Sequence, residues 1–180
     1  MTNRGNDRRQ LFFQEADYQA VLEILSESAR KIPVDLHGYN VMPNHLHLVV
    51  LQKETGAVSA YLQRALCGIA RNHRYGTRTA GMGHVFQSRF WGQALWEARD
   101  YLIGLRYVED NARRGGLVKR AENWPWGSLW ERVTHGRHLL SEPLMELPPN
   151  WVELVNEGQV AEVLAALRKA DGRGKRRQHS

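Results

Sequence analysis

From Asp17 onward, apolar residues recur every three or four positions, at Val21, Leu22, Leu25, Ala29 and Ile32, until Pro33 ends the run. This is helical spacing, and it predicts a first helix with Asp17 as its N-cap. Two strand-like runs follow, Leu36 to Met42 and His45 to Leu51, separated by the turn formers Pro43 and Asn44, and they predict a hairpin. Helical period returns over Ala57 to Tyr75. Val58, Leu62, Ala65, Leu66 and Ile69 make one stripe there, and Arg64, Arg71 and Arg74 lie among the polar positions.

A glycine-rich connection over 76–83 leads to HVFQSRFWGQALW, where Phe86, Ser88 and Phe90 alternate with Gln87, Arg89 and Trp91. The alternation predicts a strand with one polar, cationic side. Residues 98–111 read as a third helix with Tyr101, Leu102, Leu105 and Val108 on its buried stripe, ended by RRGG. Residues 2–10 are polar and basic and read as a loop or the end of a strand. Residues 134–151 are punctuated by proline and read as irregular, before a last helix over about 152–170 and a basic tail. WPW at Trp124 to Trp126 reads as a core or docking element. The element order predicts an α+β fold with two helices packed on one face of a mostly antiparallel sheet.

Charge adds a partner class to this picture. The 180 residues carry 25 Lys and Arg against 19 Asp and Glu, a net charge of +6, which favours a polyanion. A single cysteine, Cys67, excludes an intrachain disulfide and fits a reducing cytoplasm. No run approaches the roughly 20 apolar residues of a membrane span, so neither membrane insertion nor export is expected.

Two constellations carry candidate chemistry. Residues i and i+2 of a strand project from one face, so His45 and His47 stand side by side as a half-site for a divalent cation; a hydrogen-bonded pair on a partly exposed strand is the plainer alternative. On the third helix, Tyr107 lies off the apolar stripe and Asn111 follows one turn later, about 40° away around the axis. Gly104 sits one turn below, either baring backbone for a substrate strand or making a packing contact. Arginines interleaved with six Trp and six Tyr suit a single strand, whose phosphates take the charge and whose bases stack.

Taken together, the stretches TNRGNDR, GYNVMPNHLHLVV, GHVFQSRFWGQ, YLIGLRYVEDNARRGGLV and NWPWGSLW, in that order over about residues 2–130, resemble the single-tyrosine HUH transposases, specifically the REP-associated tyrosine transposases related to small insertion-sequence enzymes. WVELVNEG…LRKADGRGK is similar to the family's C-terminal extension. The resemblance implies a ferredoxin-like (RRM-like) antiparallel sheet with helices packed on it, as a catalytic domain over 1–130, and a C-terminal helical and irregular extension over 131–180. It also implies a Mg²⁺ or Mn²⁺ ion held by His45, His47 and Asn111, with Tyr107 as the nucleophile.

The implied reaction is cleavage and rejoining of single-stranded, REP-like hairpin DNA through a 5′-phosphotyrosine intermediate. Arg4 and Asn6 match the N-terminal residues that contribute to DNA recognition, and Arg64, Arg71, Gln87, Arg89 and Arg113 are the further positions expected to face DNA. The chain departs from the family in starting at MTNRGN, where relatives open with a longer strand of the Y-H-V-T-x-R-G-N kind, and in carrying ARRG after the asparagine where P-V-R-A-G is usual. A cytoplasmic, nucleoid-associated protein acting as monomer or dimer is expected. The rival from another class is a catalytically silent DNA-hairpin-binding module. A two-histidine RNA phosphoesterase would need two H-x-T/S motifs, which the sequence lacks.

Overall fold

The computed structural model describes residues 2–5, 9–77, 84–87, 90 and 92–159. Its centre is an antiparallel sheet of β1 (Thr2–Arg4), β2 (Val34–Met42) and β3 (His45–Gln52), in the order β1-β3-β2. The β2–β3 hairpin turns at Pro43 and Asn44, as the sequence predicts, and its strands reach slightly further than the apolar runs.

Register assigns every side chain to a face. Thr2 and Asn40 flank His47 on either side, and Arg4 and Met42 flank His45. Residues paired across a ladder project to the same side, so these six and Val49 share one face. Leu46 and Leu48, with Val41 and Tyr39 opposite them, share the other.

The strand expected around residues 84–91 is, among the described residues, a single bridge: Phe86 pairs with Gly5, and the Gln87 N–H donates to the Arg4 carbonyl at 2.9 Å. This segment still lies beyond β1, where the fourth strand of a ferredoxin-like sheet belongs. Ser88, Arg89 and Trp91 are outside the described residues.

Helices cover both faces. α1 (Glu15–Lys31) and α2 (Ala57–Thr77) bury Val21, Leu22, Leu25, Tyr61, Leu62, Ala65 and Ile69 against Leu46, Leu48, Tyr39 and Val41. α3 (Ala98–Glu109) lies on the opposite, histidine face, where Tyr101, Leu105 and Val108 meet Val49. The two helices expected on one face are α1 and α2, and α3 on the other face makes a third layer. Physically, β3 carries apolar residues on both sides, and each needs a cover.

Two helix boundaries also differ from the sequence reading. α1 starts at Glu15 with Gln14 as its N-cap, and Asp17 is the third helical residue; the Asp17 carboxylate accepts from the N–H groups of Phe13 (2.8 Å) and Gln14 (3.1 Å). Asp17 thus closes a reciprocal capping box from inside the first turn. The third helix ends at Glu109, not 111: Asp110 interrupts it, and the short α4 (Asn111–Arg114) turns the chain away before Gly116, whose positive φ of 74° favours glycine.

The segment after Trp124 packs into the same body. Trp126 stacks on Tyr18 of α1 with centroids 5.2 Å apart, and Trp124 meets the same ring edge-on. From α5 (Ser128–Thr134) and α6 (Trp151–Glu157), Leu129, Trp151 and Val155 complete the core around α3. The join is polar as well: the buried Glu109 carboxylate accepts from Ser128 Oγ (2.8 Å), Arg132 Nε (2.8 Å) and Trp151 Nε1 (2.7 Å). Among the described residues no helix is long and apolar enough to cross a membrane. The last helix is described only to Glu157, and the basic tail lies outside the described residues.

Candidate nucleophile and cation site

β3 presents His45 and His47 with ring centroids 4.9 Å apart at an interplanar angle of 79°. His45 Nδ1 lies 2.6 Å from the Asn44 amide oxygen, a contact that suits the tautomer with its proton on Nδ1 and its lone pair on Nε2. His47 Nδ1 is likewise held, by Thr2 Oγ1 at 2.8 Å, which makes β1 the support for the second ring. Nδ1 held by a neighbouring oxygen is the arrangement in which a histidine ligates a metal through Nε2.

α3 brings the tyrosine to this pair. The Tyr107 ring stands edge-on to His47 with centroids 5.7 Å apart. It lies off the stripe of Tyr101, Leu105 and Val108, yet only 4% of its surface is exposed, because the sheet, not solvent, faces it. One turn on, the Asn111 side chain donates to the Tyr107 carbonyl at 2.9 Å, which orients its amide oxygen outward from that bond. Imidazole nitrogens and an amide oxygen are donor types that suit a divalent cation. Among the described residues no group of three or more His, Cys, Asp or Glu gathers.

Two residues here, Asn40 and Glu109, have no local sequence signal, and a third, Arg114, reads in the sequence only as one of several basic positions suited to a single strand. The Arg114 guanidinium lies 4.1 Å from the centre of the Tyr107 ring and donates to Asn111 Oδ1 at 2.7 Å. Its signal was present: position 114 follows Tyr107 by seven residues, two helical turns, and returns to the same face within about 20°. Arg113, expected to face DNA, binds Asp110 through Nε at 2.6 Å. Asn40 and Glu109 fix α3 to the sheet and to α5 and α6; both are buried polar residues whose partners are distant in sequence.

The remaining DNA-facing expectations divide. Arg4 pairs with His45 across the ladder and shares its face, with the exposed Gln87 next to it along the β1 edge. Arg64 and Arg71 are exposed on α2, in the layer across the sheet from the histidines, and Arg64 is paired with Glu27 at 3.1 Å. Asn6 and Arg89 lie outside the described residues. Gly104 makes a packing contact: a Cβ there would meet Leu95 Cδ1 at 2.9 Å.

Charge around α4 is predominantly positive. Burial raises the pKa of Asp110, while Arg113, Arg114 and Arg106 together hold it down, so one buried carboxylate faces three guanidiniums. A separate cavity of about 370 Å³ opens where β3 meets Leu95, Trp96 and Tyr101, and none of the predicted site residues lines it. The Tyr107 and His47 rings pack edge to face, and His47 meets His45 in the same way.

Residues 2–110 match the family described as "Transposase IS200 like", a span that holds β1, the histidine pair and Tyr107. The chain is 25% identical over 134 residues to the REP-associated tyrosine transposase of Escherichia coli (strain K12), covering 74% of this chain and 76% of that protein. It also shares its fold with a solved REP-associated tyrosine transposase bound to a REP hairpin, with a TM-score of 0.62 at 21% identity over 81% of this chain and 86% of that one. The chain therefore belongs to the IS200-like transposase family.

Proposed function

We propose that this protein is a metal-dependent DNA endonuclease and strand transferase that cleaves and rejoins single-stranded, REP-like hairpin DNA through Tyr107. The observation that carries the reading is the contact of the Tyr107 ring with His47, beside a second imidazole 4.9 Å away. Mg²⁺ or Mn²⁺ held by His45, His47 and Asn111 would supply Lewis-acid polarisation of the scissile phosphate. Arg4 beside His45 and the arginines of α4 attract the DNA backbone.

The Tyr107 oxygen attacks phosphorus, the Tyr107 O–P bond forms and the P–O3′ bond breaks. The phenolic proton is balanced by the one taken up at the leaving 3′-oxygen, giving a 5′-phosphotyrosine ester and a free 3′-OH. Because one phosphodiester is exchanged for another ester, a second 3′-OH reverses the step and rejoins the strand without ATP. His45 and His47 act here as neutral ligands, not as proton carriers, and their orientation is set by Asn44 and Thr2.

The test is a denaturing gel of protein incubated with single-stranded REP-type hairpin DNA and Mn²⁺ or Mg²⁺. The expected result is a covalent protein–DNA adduct that disappears in Tyr107→Phe and in the presence of chelator. Hairpin binding without any adduct would replace this reading by that of a silent hairpin-binding module. An adduct surviving in Tyr107→Phe would remove Tyr107 as the nucleophile.

A further inference from the structure

We infer that the cavity of about 370 Å³ beside the end of β3 binds one unpaired nucleobase of the substrate strand, a few nucleotides from the phosphate that Tyr107 attacks. The inference rests on the reading of the protein as a nuclease for single-stranded hairpin DNA, and adds a subsite that determines its specificity. Position is the first support. Val49 lines the cavity and lies two residues past His47 on the same face of β3, about 7 Å along the strand. Tyr101 lines it from α3, six residues before Tyr107 and about 9 Å along the helix. Nucleotides stacked at about 3.4 Å each cover those distances in two or three steps. A strand with its scissile phosphate at Tyr107 therefore reaches the cavity with a neighbouring base.

The lining has the chemistry that recognises a base. Trp96 is 89% exposed, and Leu51 and Leu144, on the same cavity, are also exposed large apolar residues. Exposed apolar side chains gathered at one opening mark a contact surface, unlike the same residues scattered singly. An indole presents a flat face on which any base can stack, and fixing it costs little entropy because it has few rotatable bonds. Polar groups on the lining include the amides of Gln52 and Gln93 and the imidazole of His37, whose pKa burial lowers. Amides both donate and accept, as the edge of an unpaired base does. One wall is fixed before any ligand arrives. Tyr101 meets His37 edge-on with centroids 5.6 Å apart, and its hydroxyl accepts from the Leu144 N–H at 3.4 Å. The volume lies near the lower end of the range of about 300–1,000 Å³ for small-ligand sites, which suits one ring system.

The experiment measures affinity of the full chain carrying Tyr107→Phe, which blocks cleavage, for a single-stranded REP-type hairpin with unpaired flanks. Each flanking nucleotide in turn is replaced by an abasic one. One position is expected to weaken binding by ~5-fold or more, the lower end of what a stacked base contributes. Adding Trp96→Ala should weaken binding of the intact strand by a similar factor and abolish the effect of that abasic position, while Trp96→Phe should keep most of both. Ser59→Trp, an exposed α2 residue on the lining whose replacement would fill the cavity, should act like Trp96→Ala with the indole still in place. Full affinity in both Trp96→Ala and Ser59→Trp overturns the inference and gives the cavity to another occupant, such as a peptide segment. An abasic effect that is unchanged by Trp96→Ala overturns it as well, since the base would then bind elsewhere. Failure of the Tyr107→Phe protein to bind any hairpin overturns the DNA reading itself, and the inference with it.

Discussion

Asn40 faces His47 across the β2–β3 ladder, and its side-chain amide donates to the carbonyls of Val108 at 3.0 Å and Glu109 at 3.3 Å. Those two carbonyls belong to the residues directly after Tyr107, at the end of α3, where a helix no longer supplies all its own donors. One buried carboxamide thus sets the separation between the strand carrying the histidines and the helix carrying the tyrosine. Asn40→Asp keeps the shape but turns an acceptor toward two carbonyls. It should cost about 1–3 kcal/mol of stability, the usual penalty for a buried polar group left without its partner. Adduct formation should fall more steeply, by ~10-fold or more, because small displacements of a reacting group are expensive. Urea unfolding and single-turnover adduct kinetics read the two effects separately; a stable, fully active Asn40→Asp would show that this tie does not position Tyr107.

The distinction between Arg113 and Arg114 indicates what the sequence could and could not disclose. Hydrophobic period located the hairpin and three helices, and i to i+2 and i to i+4 spacing placed His45 with His47 and Tyr107 with Asn111, since these relations are local. The same helical rule, extended to i+7, separates Arg114 from Arg113. Asn40 and Glu109 follow no such rule. Their partners are 68 and 23 residues away for Val108 and Arg132 respectively, and only folding brings them together.

Glu109 should be the costliest single side chain to remove from the join between α3 and α5–α6. Its carboxylate is fully enclosed and satisfies Ser128, Arg132 and Trp151 at once, and Arg132 also donates to the His37 carbonyl. Glu109→Ala leaves the Arg132 charge only 15% exposed and unpaired there, and breaking a buried pair in this way costs about 3–5 kcal/mol. Trp151→Phe removes one hydrogen bond while keeping most of the apolar contact, and should cost about 1 kcal/mol. Chemical denaturation of the two variants would refute the role assigned to Glu109 if their losses were equal.

His37 predicts a pH dependence separate from the reaction. Burial lowers its pKa below the ordinary value, with Asp35 opposing the shift and Arg132 adding to it, and the ring meets Tyr101 edge-on. The unfolded chain takes up a proton near pH ~6.5, whereas the folded protein does so only at lower pH. Over that interval the unfolded state binds more protons, so stability falls as pH drops below about 6.5 and is unaffected by this group above it. Asp35, held below its usual range first by its hydrogen bond to Lys53, titrates at lower pH and does not enter this window. Urea midpoints at pH 7 and pH 5 should differ more for the wild type than for His37→Gln; equal differences would assign the loss to other groups.

Gly38 sets how closely α3 approaches the sheet. It lies on the histidine face of β2, paired with Val49, and a Cβ built there would sit 2.5 Å from Leu105 Cδ1. Leu105 is completely buried beneath α3, so its methyl has no open space to enter and the helix itself must move. Gly38→Ala should therefore cost about 1–3 kcal/mol, the range for overpacking a filled core. Leu105 is two residues before Tyr107 on the same helix, so the displacement should also slow adduct formation. Gly104→Ala provides the contrast: the atom in its way is the end of Leu95, a partly buried leucine ahead of α3, and the gain of about 1 kcal/mol in helix propensity offsets the crowding. Gly104→Ala is accordingly expected to be near neutral in unfolding and in adduct formation. Equal losses from the two alanines would mean that the close approach of α3 at Gly38 does not govern the position of Tyr107.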